Sequence, residues 1–282
     1  MRQPVMVALC AAGIVALSGC GATRSDNEVD RALAGINVVD ETNLNEVMLS
    51  AADPDEAVNY FQRAAAQQPD RIDLLRGLAA SLVRADRATE GVPVWTRVTE
   101  HAEATDEDSV ALADALIRTG KWDRAEALLD GISPTHETFR RYRLEAMVAD
   151  TNEEWQKADS FYETALGLTT QPAGVLNNWG FSKLTRGDYA EAERLFGEAI
   201  QQDPKLFTAK NNLVLARGAQ GNYSLPVIPM SQEERAQLLH TLGLSAVKRG
   251  DVETGKGLFR DALETHPQHF EPAARSLAAL EG

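Results

Sequence analysis

The chain is 282 residues long, 44% hydrophobic and 25% charged, with 6% aromatic residues and a formal net charge of −14. That is enough apolar material for a sizeable core, and an acidic chain with no dense Lys/Arg cluster is a poor candidate for nucleic-acid binding. Its two cysteines, Cys10 and Cys20, both fall within the first twenty residues, so the remainder can form neither a disulfide nor a thiolate metal site.

The N-terminus opens with Met1 and Arg2, a short positive region, followed by an apolar run of thirteen residues from Val5 to Leu17. A helix needs about 20 residues to span a hydrocarbon core, so this run fits the apolar region of an export signal. It ends in Leu17-Ser18-Gly19-Cys20, which resembles the lipobox of bacterial lipoproteins. That resemblance implies cleavage ahead of Cys20, with a diacylglyceryl thioether on its thiol and acylation of the new amino group. Two or three acyl chains anchor stably where one is marginal. Cys10 reads as a small apolar residue that leaves with the signal. Residues 1–19 are therefore predicted to be a lipoprotein signal peptide and 20–43 a lipidated tether. Gly21 stands where an aspartate would favour inner-membrane retention in diderm lipoproteins, which points to the outer membrane, periplasmic face.

From residue 44 onward the chain repeats about every 34 residues. The clearest unit, Leu176 to Pro204, resembles the tetratricopeptide (TPR) consensus at Leu176, Gly180, Gly187, Tyr189, Ala192, Phe196, Ala199 and Pro204. A later unit repeats it at Leu239, Leu242, Gly243, Gly250, Phe259, Ala262 and Pro267, and the same grid runs back through Phe61, Trp95, Leu129 and Tyr162. Small residues are expected where helices cross, and bulky ones are expected to fill the gap to the next unit. Gly120, Gly187 and Gly250 fit turns that need positive φ. The fold predicted is all-α, a right-handed superhelical solenoid of TPR helix hairpins. Its units lie near 44–69, 72–103, 106–134, 139–170, 173–204 and 236–267, with a half-unit at 207–230 and a C-terminal capping helix at 270–282.

That half-unit breaks the pattern. Ser224-Leu225-Pro226-Val227-Ile228-Pro229-Met230 stands where a second helix should start, and its two prolines favour an extended strip. Ser231 then caps a new helix. Val227, Ile228 and Met230 make the strip either a connector packed over the solenoid or a patch facing a partner.

No G-x-S-x-G, Walker loop or H-E-x-x-H occurs, and His266-Pro267-Gln268-His269 has no carboxylate completing a metal spacing. The chain is therefore expected not to be an enzyme and to need no cofactor or metal. Acidic runs such as Asp106-Glu107-Asp108 suit helix starts. Trp122, Trp155 and Trp179 fall on the repeat grid and read as core. Asn177-Asn178 and Asn211-Asn212 lie 34 residues apart on successive first helices. Their amides could hold an extended peptide backbone, or could satisfy the neighbouring helix. Arg76, Arg140 and Arg143 fall on the equivalent face and could engage acidic side chains or a terminal carboxylate, or be solvated charge.

The lipobox, the repeats and the stretch from Asn211 to Leu239, NNLVLARGAQGNYSLPVIPMSQEERAQLL, together resemble the TadD family of lipoproteins of Flp (tight adherence) pilus assembly. That resemblance implies a binding scaffold for protein segments of a pilus or secretion machine, its secretin above all, held to the membrane by its lipid alone. The alternatives are a TPR lipoprotein of outer-membrane barrel assembly and an adaptor of peptidoglycan hydrolases.

Overall fold

The computed structural model describes residues 44–282. The 1–19 signal, Cys20 and the 20–43 tether lie outside the described residues. Among the described residues every regular element is a helix. They run α1 (44–50), α2 (Pro54–Gln67), α3 (Ile72–Arg84), α4 (Ala88–Thr99), α5 (Asp106–Arg118), α6 (Trp122–Asp130) and α7 (Phe139–Thr151). Next come α8 (Trp155–Gly167), α9 (Ala173–Thr185), α10 (Tyr189–Gln202), α11 (Phe207–Ala219), α12 (Gln232–Arg249), α13 (Val252–Thr265) and α14 (Glu271–Glu281).

Local chemistry sets the helix ends. Asp53 accepts from the backbone N–H of Asp55 and Glu56 to start α2, with Pro54 at its first position, where a missing N–H costs nothing. Ser231 and Glu234 cap α12 reciprocally: Glu234 N–H donates to Ser231 Oγ at 3.1 Å, and Ser231 N–H donates to the Glu234 carboxylate at 2.9 Å. From α3 onward, the turn inside each pair takes one left-handed residue. Gly120, Gly187 and Gly250 supply it at φ 71°, 83° and 94°, whereas Asp86 and Glu153 hold the same turn at φ 59°.

Packing follows the repeat grid. Ala192, Phe196 and Ala199 of α10 are buried, as are Ala158, Tyr162 and Ala165 of α8 and Phe259 and Ala262 of α13. From α2 onward each helix packs on the next in sequence, and α5 also touches α7, α7 touches α9 and α9 touches α11, so the first helices from α5 to α12 form a continuous layer. This is the stacked helix-pair architecture expected from the repeats. The large residues have a second role within their own units. Phe196 and Phe259 also close on a glycine of their own pair, Gly180 and Gly243, and Phe196 shares its core cluster with Ala209, Leu213 and Ala216 of the next unit. Phe61 does reach forward, onto Gly77 of α3. Only a glycine leaves room for a ring edge at these crossings, which is why the same sixteen-residue spacing recurs in both directions.

After α11 the second helix is missing. α11 packs directly on α12, and Lys210 crosses between them. Lys210 is buried, with its Nζ donating to both carboxylate oxygens of Glu234 at 3.0 and 2.9 Å. Burial would raise the Glu234 carboxyl, but the bonds from Lys210 and from the Ser231 N–H outweigh it and hold the group below its ordinary value.

Candidate functional site

The first helices of the later pairs share one exposed face. In α9 it runs through Gly174, Asn177 and Asn178, Phe181 and Thr185, and in α11 a step of 34 places Thr208, Asn211, Leu215 and Ala219 at the same positions. In α12, Leu244 follows Gly243 as Phe181 follows Gly180. Phe181 is 50% exposed and Leu244 48%, with Leu215 half-buried between them. In α7 the same register holds Met147. This apolar row was not singled out from the sequence. The signal that finds it is the 34-residue step from Met147 to Phe181 to Leu215, at a helix position opposite the buried grid.

Beside the row stand the asparagines, and they tie the helices together. Asn212 Nδ2 donates to Asn177 Oδ1 at 3.0 Å, Thr241 Oγ1 donates to Asn211 Oδ1 at 2.8 Å, and Asn178 Nδ2 approaches Met147 Sδ at 3.4 Å. Asn212 is buried in this role. Among the described residues, the amide nitrogens of Asn177 and Asn211 have no protein partner. Both oxygens are fixed as acceptors, so these two Nδ2 groups are oriented as donors along the face.

The arginines separate. Arg76 is bound in a fork by Asp108 of α5, with Nε and Nη2 each at 2.7 Å, and Nη2 also donates to the Glu103 carbonyl at 3.1 Å. Asp108 is buried; burial would raise its carboxyl, but Arg76 and the N–H of Thr105 hold it below its ordinary value. Arg76 is thus committed to joining α3 to α5. Arg140 donates to Glu107 at 3.1 Å and lies 3.5 Å from Asp114, while Arg143 comes to 4.0 Å from Asp114. Arg118, which sequence reading did not single out, joins them at 3.3 Å from Asp114. The acidic start of α5 therefore serves as cross-helix counter-charge as well as capping the dipole.

The strip from 224 to 230 divides its apolar residues. Ile228 packs on the core of α9–α11 and Met230 on the core of α11–α13, while Val227 is fully exposed. Between the strip and α10 lies a groove of about 980 Å³, with Arg194, Glu198 and Gln201 on one wall and Pro226, Val227 and Pro229 on the other.

The tryptophans are engaged in packing. Trp179 Nε1 donates to Asp159 at 2.6 Å and its ring stacks on Tyr162, with centroids 6.1 Å apart. Lys183 and Arg186 bind the same Asp159, and Arg186 lies over Trp155. Trp122 packs against the N-terminal core. Among the described residues no group of three or more His, Cys, Asp or Glu is placed to hold a metal, and no helix is long and apolar enough to cross a membrane.

No family model and no curated protein matches the chain. Solved structures match it in fold. A tetratricopeptide repeat protein from Parabacteroides merdae aligns with a TM-score of 0.56 at 14% identity, over 85% of this chain and 97% of its own. Cut9–Hcn1 of the APC/C aligns with a TM-score of 0.61 at 11% identity, and the human IFIT1 dimer with PPP-AAAA with 0.59 at 15%. They cover 84% and 80% of this chain, which spans 48% and 59% of theirs, about half their length. At such identities the likeness establishes the fold, a tetratricopeptide-type solenoid.

Proposed function

We propose that this protein is a lipid-anchored, non-catalytic scaffold on the periplasmic face of the outer membrane that holds a polypeptide segment of the Flp pilus machine, its secretin first. The observation that carries the binding role is the row of exposed Phe181 and Leu244 with half-buried Leu215 between them, flanked by the amides of Asn177 and Asn211. Apolar side chains left in water on α9 and α12 favour burial against a partner, and fixed amide donors suit the carbonyls of an extended backbone without reading its side chains. The anchor rests on the lipobox at Leu17 to Cys20, and the pilus assignment on the resemblance from Asn211 to Leu239.

Affinity purification of the tagged lipoprotein from detergent-solubilised envelopes, with mass spectrometry of what accompanies it, tests the assignment. Secretin and other Flp pilus components are expected. Barrel-assembly proteins or peptidoglycan hydrolases in their place would keep the scaffold and overturn the pilus role.

A further inference from the structure

The layer of second helices has a gap. Between α11 and α12 the strip from 224 to 230 stands where the repeat grid calls for a helix, and it covers the core there with Ile228 and Met230. A helix with its side chains is about 10–12 Å across, whereas an extended chain takes up about 4.8 Å, so the strip fills the place only in part. What it leaves is the groove of about 980 Å³ against α10, floored by buried Ile200 and Leu213 and rimmed by the fully exposed Val227.

The helical wall of this groove is open to close approach. Gly197 of α10 lies on it, and a Cβ there would meet nothing within 4 Å. In the other second helices the residue after the large core side chain is Gln62, Thr96, Asp130, Glu163 or Arg260; α10, beside the gap, has glycine at that register. A glycine in mid-helix is unfavourable for the free chain, so its use here has to be found in what it makes room for. Three helical glycines of this protein make room for a ring: Phe196 closes on Gly180, Phe259 on Gly243 and Phe61 on Gly77. Gly197 offers the same missing side chain to the groove, and no ring of the described chain reaches it. The charges on the walls are already paired, Arg217 donating to Glu193 at 2.7 Å and Arg194 donating to Glu191 at 2.9 Å and to Glu198. The groove therefore offers apolar surface and backbone access and calls for no net charge on what enters it.

We propose that the space between α10 and the strip docks an amphipathic helix of a partner protein, which takes the seat of the missing second helix and closes an aromatic side chain over Gly197. Such a helix presents apolar residues at i, i+3 or i+4 and i+7, the spacing that puts them on one face. A second copy of this chain does not fit the role without unpacking, because Phe61, Tyr162, Phe196 and Phe259 of its own second helices are buried. The site is separate from the first-helix face and uses none of its residues.

Cross-linking in intact envelopes tests this, with p-benzoylphenylalanine at Gln201, an exposed residue of the groove wall, in the full-length lipoprotein carrying either Gly197 or Gly197→Leu. The linked peptide, read by mass spectrometry, should belong to another protein and show apolar residues at helical spacing with an aromatic among them. Gly197→Leu should reduce the link about tenfold or more. The same substitution should leave the melting temperature of the purified protein unchanged or raise it by about 2–4 °C, since leucine favours a helix and meets open space there. A synthetic peptide of the linked segment should bind the purified lipoprotein, and replacing its aromatic residue by serine should weaken binding about tenfold or more. A link to a second copy or to lipid alone, a linked segment without helical spacing, no link at all, a link that survives Gly197→Leu, or equal binding by the serine peptide would each overturn the docking site. So would a melting temperature lowered by Gly197→Leu, which would show that the space above Gly197 is already filled. Links from Gln201 that persist when Phe181 and Leu244 yield none would refute the first-helix face and leave this site standing.

Discussion

The Phe196 ring lies so close to Gly180, one helix back in the same pair, that a Cβ on Gly180 would stand 2.7 Å from it. The crossing of α9 and α10 is therefore set by the absence of a side chain, and Gly243 under Phe259 repeats the arrangement at 2.5 Å. Gly180→Ala and Gly243→Ala should each lower stability by about 1–3 kcal/mol, the usual cost of overpacking. Gly257→Ala, also within a helix but with nothing within 4 Å of its missing Cβ, should raise it by about 0.5–1 kcal/mol. Urea titrations of the three variants check this, and an unchanged midpoint for Gly180→Ala would show that the crossing is not tight.

Removal of Glu234 should leave Lys210 as an uncompensated buried cation. Glu234→Ala is expected to cost about 3 kcal/mol at neutral pH. The sign with pH follows from the lowered carboxyl. The folded value lies below the ordinary value near 4.5, so this contribution is fully present above 4.5 and disappears as pH falls through the folded value. The wild-type and Glu234→Ala melting temperatures should therefore differ at pH 7 and converge in acid. An equal gap at both pH values would contradict the ion-pair explanation.

The two-proline strip should show two separable kinds of residue. Val227→Ser changes a fully exposed side chain and should leave stability within about 0.5 kcal/mol while weakening capture of the partner. Ile228→Ser and Met230→Ser uncover core and should each cost about 1–2 kcal/mol. Melting curves and recovery of partner in the affinity purification read the two effects apart. Unchanged capture by the Val227→Ser protein would make the strip a connector only.

On the lipoprotein reading, Cys20→Ala should release the protein from the outer membrane and leave the repeat body folded, since the described helices 54–281 pack on one another. Membrane fractionation with circular dichroism of the purified variant checks both halves. Recovery of the variant in the outer membrane would contradict the anchoring role of Cys20.

The all-helical solenoid was legible because its packing is local and periodic: a glycine and an aromatic sixteen residues apart, repeated at 34-residue steps, imply the same crossing each time. The pairings between repeats were not legible. Whether Arg76 meets Asp108, or Arg140 meets Asp114, depends on how far one pair is rotated against the next, which no single repeat encodes. Lys210 is the sharpest case. It occupies the position of Leu176 one repeat on, where a lysine reads as an exposed exception, yet it is buried because the capping Glu234 of α12 comes to meet it. The asparagines were legible as a stacked pair, but their bonds to each other and to Thr241 come only from the helix layer.

The most direct test of the binding face places photoreactive p-benzoylphenylalanine at Phe181, at Leu244 and, as a control, at Val252 on the second helix α13, with cross-links formed in intact envelopes. Positions 181 and 244 should link to one polypeptide that also accompanies the protein in affinity purification, and position 252 should remain silent. Cross-links from 252 with none from 181 or 244 would contradict binding on the first-helix face.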